Sequence, residues 1–415
     1  MKKNKKIKIL YNDTHQNMSY SHGPATFSRY FNNFFSKQKD FILMPIIFSH
    51  GNLGEESKIN ILNSRTKKYI EIIYDKQKIS ENYQKEISKK EFLSLLSPTI
   101  KLLSDYIQKE KPDIVFLNGF NLANWILLYS AYKNNIPVIV QHAGIWKQEI
   151  LASKYFFSKS IMNIFFSMER DLIRFSNHHI FLNDFSRREF EKNYKSKETI
   201  EKIKTQSSII SLPISINKNH FFKLNNSNHK GTANNIINIG SVARWDNIKN
   251  HEAILGLALS PLKPKNWQIN VVTKIPENNK NFDFKEKYKK HINIISPMKN
   301  SDLKNKFYKK MDLIFLPSRF DVSPTVVAES FCAGVPVLIS EKVGWYDLYG
   351  QFGLHCHTFK LNSSDSKKID IIERILLNKE KKIKSYTKFF NYLKKKHIPQ
   401  KVFPQYLKLF KKYSK

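Results

Sequence analysis

Cysteine is almost missing from this chain: only Cys332 and Cys356 occur in 415 residues. Two thiols make no disulfide framework, and the composition fits a reducing compartment. Long apolar runs are missing too. No window holds the ~18 uninterrupted apolar residues that a membrane-spanning helix needs. The basic start MKKNKKIKILYND carries an apolar stretch too short for a signal-peptide core. These absences predict a cytoplasmic protein, with any membrane association peripheral and at the inner face. There is no zinc-ligand spacing, RNA-binding or helix-turn-helix signature, solenoid-period repeat or low-complexity linker.

Negative charge is also scarce. Against 70 Lys and Arg stand 35 Asp and Glu, a formal charge of +35. Charge of this size draws a protein toward nucleic acid, an anionic membrane or anionic substrates. The lysines, however, are scattered rather than striped, and Lys, Asn and Ile are all in excess, as genome bias produces. That pattern favours bias plus weak membrane attraction over nucleic acid. The length predicts two or three domains, and the hydrophobic fraction of 41% lies far from the disordered regime.

What is present is concentrated between Asp312 and Ser340, DLIFLPSRFDVSPTVVAESFCAGVPVLIS. Leu313–Leu316 reads as a strand buried on both faces of a parallel sheet. Ser323 is placed as a helix N-cap, with Pro324 at the first helical position and Thr325 following. Gly334 ends the helix and Val335–Ile339 is a second buried strand. The helix N-terminus thus sits at the carboxyl edge of a strand, where α/β sheets hold ligands and bare N–H groups favour a phosphate. Seven residues separate Asp321 in the loop from Glu329 on the helix. Glu329 lies roughly 9 Å along the axis from the cap at about 1.5 Å per residue. That is the reach from a pyrophosphate to the ribose of one nucleotide, whose two hydroxyls a carboxylate can accept. An arbitrary helical Glu is usually just solvated, but Val326, Val327 and Phe331 surround this one, and burying an unpartnered carboxylate is costly.

PSRFDVSPTVVAESFCAGVPV resembles the donor-site signature of the retaining glycosyltransferases of family 4. The resemblance implies a GT-B fold, an α/β architecture of two Rossmann-like doubly wound domains facing a cleft, with a C-terminal helix crossing back. It also implies sugar transfer from a nucleotide-sugar donor with retention, the leaving phosphate taking the acceptor's proton. No cofactor or metal is expected. One departure is Asp321, where the family usually has the longer Glu near the donor sugar.

Strands at 7–11, 41–48, 69–74, 113–118 and 137–141 alternate with helical segments at 91–108 and 122–132, the rhythm of a parallel doubly wound sheet. The Gly23-Pro24 turn opens the first helix, and the family's glycine-rich loop at this place faces the donor. His142-Ala143-Gly144 resembles the family's His-x-Gly beside the donor sugar. The aromatic-rich segment 154–175 is expected to be a packed core helix, with a membrane-docking face as the alternative. A boundary in the Asn- and Lys-rich stretch after Asn217 gives an acceptor-side domain over 1–217, a donor domain over 218–385 and a helical crossover over 386–415.

In the second domain Arg244 and Lys249 flank the start of a helix near Asn250. Such a cationic pair opposes the helix dipole unless an anion sits between them. The family places an Arg and a Lys here on the donor diphosphate; its Arg commonly follows the glycine directly, where Ser241 stands in this chain, and Arg244 is carried over as the substitute. Thr273-Lys274 and Ser296-Pro297 replace the family's usual glycine turns after the next two strands, 268–272 and 292–295, and a strand is expected at 353–357. The reading is a glycosyltransferase with catalytic Arg244, Lys249, His142 and Asp321. Donor-binding residues are Glu329, Ser323, Pro324, Thr325 and Gly23. The acceptor is expected to be a glycan or lipid-linked acceptor of cell-envelope polysaccharide synthesis. The rivals are a GT-B nucleotide-sugar epimerase and a catalytically silent basic protein that binds nucleic acid or an anionic membrane.

Overall fold

A computed structural model describes residues 5–13, 23–51, 56–63, 68–153, 157–214, 216, 222–224, 236–277 and 282–414. The chain forms two compact units, one from Met1–Met18, His22–Leu212 and Pro399–Lys415, the other from Pro213–Ile398.

The first unit holds β1 (Ile7–Asn12), β2 (Phe41–His50), β3 (Lys58–Asn63), β4 (Lys68–Tyr74), β5 (Ile114–Asn118), β6 (Val138–His142), β7 (His178–Phe181) and β8 (Ser207–Ile209). They form one sheet in the order β3-β4-β2-β1-β5-β6-β7-β8, parallel except where β3 meets β4. Every residue of β5 and β6 is buried, the apolar runs Ile114–Leu117 and Val138–Val140 and the polar Asn118, Gln141 and His142 that follow them. The edge strand β3, KINILN, is not anticipated from sequence: its apolar residues are partly exposed and it has a single neighbour.

Two helices complete this core. Lys159–Phe175 buries Ile161, Ile164, Phe165, Met168 and Leu172 in this core, with Phe166 partly buried against it. Phe165 lies against Tyr83 and Trp146; residues 154–156 of the expected helix lie outside the described residues. Helix Pro399–Tyr413 returns to this unit from the second. Its Phe403 and Phe410 meet Phe31 of helix Gly23–Phe35, and the Tyr406 hydroxyl donates to Gln141 Oε1. The preceding helix, Ile383–Lys396, stays with the second unit because Phe389 packs on Phe331 and Trp345.

The second unit holds β9 (Ile237–Val242), β10 (Trp267–Val272), β11 (Asn293–Ile295), β12 (Leu313–Leu316), β13 (Val337–Ser340) and β14 (Thr358–Phe359). All pair in parallel, in the order β11-β10-β9-β12-β13-β14. This is the doubly wound order in which the chain reverses direction between its first and fourth strands, so the switch point lies at the carboxyl ends of β9 and β12. Gly240 lets them close up: a Cβ there would meet Met311 Cγ and Ile314 Cδ1 at 2.7 Å. The strand expected at 353–357 is instead a turn and a 3-10 segment, His355–His357, because Gly353 takes φ +70° and interrupts extension. Among the described residues, no helix is long and apolar enough to cross a membrane.

Candidate functional site

The loops after β9 and β12 are stitched together at the switch point. Arg319 N donates to Ile248 O at 2.7 Å and Arg319 Nε to Asn247 O at 3.0 Å. Asn250 Nδ2 reaches Pro317 O at 3.1 Å, and Asn250 holds a left-handed φ of +57°, which Asn tolerates better than most residues. Across this seam Lys249 Nζ meets Asp321 Oδ2 at 2.5 Å, the two side chains 18% and 14% exposed.

The expected helix start near Asn250 is corrected in detail. Asn247–Lys249 is a 3-10 turn capped by Asp246, and the α-helix begins at His251. The cations therefore have protein anions beside them: Asp321 for Lys249, and Asp246 Oδ2 at 3.7 Å from the Arg244 guanidinium. The Arg244 side chain remains 69% exposed and able to swing to a ligand. Its carbonyl is fixed by the His251 ring at 2.8 Å, and that ring also bonds the Tyr288 hydroxyl at 2.8 Å.

The loop after β12 is held from its other side by the segment after β13. Asp321 N donates to Lys342 O at 3.1 Å, Gly344 N donates to Asp321 O at 2.8 Å, and Ser340 Oγ donates to Ser318 O at 2.5 Å. Trp345, 2% exposed, donates from Nε1 to Pro324 O at 3.1 Å. That bond accounts for a second correction. Pro324, not Ser323, is the N-cap, with ψ 123°, and the helix is Thr325–Cys332 with no side-chain cap at its start. Ser323 is a buried loop residue one step earlier. Gly334, with φ +80°, follows the helix as expected.

Glu329 is half-buried on this helix and its Oε2 accepts the Tyr308 hydroxyl at 3.0 Å. Desolvation raises its pKa, while bonds from Tyr308 and Thr325 pull the other way. Tyr308 is not found from sequence. The available signal was the adjacent aromatic pair Phe307-Tyr308 just ahead of a buried strand, which does not identify a partner. Beyond the carboxyl ends of β10 and β11 lies a cavity of about 440 Å³, with Lys274, Ile275, Ile294, Ser296 and Pro297 in its lining. Among the described residues, the buried hydroxyls of Ser241, Thr273 and Ser318 have no hydrogen-bond partner at this edge.

Arg244, Lys249, Asp321, Ser323, Pro324, Thr325 and Glu329 thus all belong to the second unit. His142 and Gly23 belong to the first. Gly23 is the first residue of its helix. His142 ends β6 with its ring 1% exposed, stacked on Phe181 at 4.4 Å, its Nε2 3.0 Å from His179 Nδ1. Burial pushes its pKa down to about 3, so the ring is neutral at physiological pH. Among the described residues, no group of three or more His, Cys, Asp or Glu is placed to hold a metal ion.

Residues 233–364 match the family model described as Glycosyl transferases group 1, which spans the whole of this site. No curated protein matches the chain by sequence. Solved structures match it along nearly its full length. A sucrose-phosphate synthase from Thermosynechococcus elongatus superposes with a TM-score of 0.70 at 12% identity, covering 98% of this chain and 99% of that one. An α,α-trehalose-phosphate synthase (UDP-forming) from Burkholderia xenovorans, in complex with glucose-6-phosphate, gives 0.69 at 8% identity, covering 98% and 100%. HepE from Anabaena, in complex with UDP-glucose, gives 0.64 at 12% identity, covering 98% and 100%. The likeness shows the fold: two Rossmann-like units of the GT-B type.

Proposed function

We propose that the protein is a retaining glycosyltransferase that uses a nucleotide-sugar donor and no metal. The observation that carries this reading is the seam at the second unit's switch point. There Lys249 pairs with Asp321, in the loop that leads into helix Thr325–Cys332, and the tethered Glu329 lies one turn inside that helix. An ammonium has three donors, and Asp321 occupies one, leaving two for a diphosphate. Exposed Arg244 adds a second cation, and the helix start adds backbone N–H groups. Charge that develops on the leaving diphosphate is stabilised by the Lys249 ammonium and the helix start already in place, with Arg244 swinging in, the largest lever open to such a site.

In this reading the ribose bonds Glu329 and the base enters the cavity beyond β10 and β11. UDP is the first base to test, since HepE and the trehalose-phosphate synthase are described with UDP, UDP-glucose or UDP formation. The acceptor proposed is a glycan or lipid-linked glycan of the cell envelope. The net charge of +35 supports weak attraction to the anionic membrane where such acceptors reside.

The test is incubation with UDP-, GDP- and ADP-sugars in EDTA, following release of nucleoside diphosphate and the anomeric configuration of the product by NMR. Release in EDTA with retention is expected. Inversion, or activity only with Mg²⁺, counts against the reading. An epimerised nucleotide sugar with no diphosphate released would favour the epimerase instead.

A further inference from the structure

Tyr308 is 1% exposed, yet its hydroxyl ends on Glu329 Oε2 at 3.0 Å. The local cause is a backbone distortion. Leu303–Phe307 is a π-helical turn, with Tyr308 N donating to Leu303 O, and a 3-10 turn over Tyr308–Lys310 leads on to β12. A π turn inserts one residue into the helical register, and such insertions gather at functional sites. Here Phe307 and Tyr308, neighbours in sequence, both point inward, at 2% and 1% exposure. The phenol is thereby carried through the apolar core to a carboxylate on a different helix.

That carboxylate, when ionised, has about four acceptor positions, and Tyr308 occupies one, so roughly three remain for a ligand. Tyr308 acts as a donor throughout the physiological range, because burial and the adjacent Glu329 push its pKa well up. The bond therefore restrains the rotation of the Glu329 carboxylate, and its remaining acceptor positions are fixed before any ligand arrives.

We propose that Tyr308 is a positioning residue: its hydroxyl orients Glu329 to accept both vicinal hydroxyls of a ribose, and so sets a preference for ribonucleotides over deoxyribonucleotides. The inference rests on the nucleotide-sugar reading above.

Its test is calorimetric titration of wild type and Tyr308→Phe with UDP, GDP and ADP, each beside its 2′-deoxy and 3′-deoxy counterparts. Inorganic pyrophosphate serves as a probe of the phosphate subsite alone. Tyr349→Phe is the control, since Tyr349 is fully buried and its hydroxyl donates to Val337 O at 3.4 Å, away from Glu329. Wild type is expected to favour one ribonucleotide. In Tyr308→Phe that ribonucleotide binds about tenfold more weakly, as losing one bond to a charged group predicts. The 2′-deoxy and 3′-deoxy forms, each keeping one hydroxyl on Glu329, weaken less and pyrophosphate holds its affinity, so the ribose preference narrows. Tyr349→Phe lowers the melting temperature and keeps the preference.

A wild-type ribose preference that survives undiminished in Tyr308→Phe overturns the inference and leaves the donor site standing. Equal weakening of ribo- and deoxynucleotides assigns Tyr308 to packing and also overturns it. A wild type that binds no nucleotide removes the nucleotide reading, and the inference with it.

Discussion

Removing the Asp321 carboxylate leaves the Lys249 ammonium alone in a narrow seam, and the structure sets the scale of the result. Exposed ion pairs contribute about 0.2–1 kcal/mol, while breaking a buried pair from one side costs about 3–5 kcal/mol. With the two side chains 18% and 14% exposed, this pair lies between, and residual solvent screening brings the cost of Asp321→Ala to about 2 kcal/mol. In a unit the size of Pro213–Ile398, that lowers the melting temperature by about 4–8 °C. Lys249→Ala strands the carboxylate instead, so the double variant should lose about 1–2 kcal/mol less than the sum of the singles. A nucleoside diphosphate adds a signature that packing alone does not produce. It supplies the missing anion in Asp321→Ala, so the ligand-induced rise in melting temperature grows there and shrinks in Lys249→Ala. The assay is a thermal-shift double-mutant cycle with and without UDP, GDP and ADP. Single-variant losses that add to within about 0.5 kcal/mol, with identical ligand responses, would refute the coupling.

Three further outcomes follow from the same geometry. Asn250→Ala should destabilise the second unit by about 1–2 kcal/mol in urea melts, since it loses the bond to Pro317 O and places Ala at φ +57°. Phe403→Ala should cost the first unit about 3–5 kcal/mol, because its ring fills the space between Phe27, Phe31 and Phe34, and a loss below about 1 kcal/mol contradicts that packing. For His142, folding depresses the pKa to about 3 from an ordinary value near 6.5, so the unfolded state alone binds the proton between those values. Its share of stability is complete above about pH 6.5 and is lost as the pH falls toward 3. His142→Gln should therefore flatten stability against pH by up to about 1.4 kcal/mol per unit between pH 5 and 6, and an unchanged slope contradicts the assignment.

The parallel strands were legible because strands covered on both faces are continuous apolar runs. Leu313–Leu316 is found where its sequence puts it, and β1, β5 and β6 fall within a residue or two. The motif residues from Asp321 to Glu329 were legible because their spacing carries a strand–loop–helix unit. What escaped depends on tertiary partners. The helix start moved from Ser323 to Pro324, whose carbonyl is taken by Trp345, a contact spanning 21 residues. β3 escaped because an edge strand with half-exposed side chains has no unbroken apolar run. Tyr308 escaped because its aim depends on the π turn, and neighbouring aromatics alone do not announce a partner on another helix. The cations at 244 and 249 were read as awaiting an external anion, and the loop itself supplies Asp246 and Asp321.

The central claim is a nucleotide-sugar donor site in the second unit, and a thermal-shift panel tests it most directly. Wild type and Glu329→Ala are melted in EDTA with UDP, GDP, ADP and CMP, since a ligand that binds only the folded state raises its melting temperature. The account predicts that one nucleoside diphosphate stabilises wild type and loses most of that effect in Glu329→Ala. No stabilisation by any nucleotide, alongside stabilisation by a short nucleic acid or anionic vesicles, would contradict it and return the protein to its basic surface.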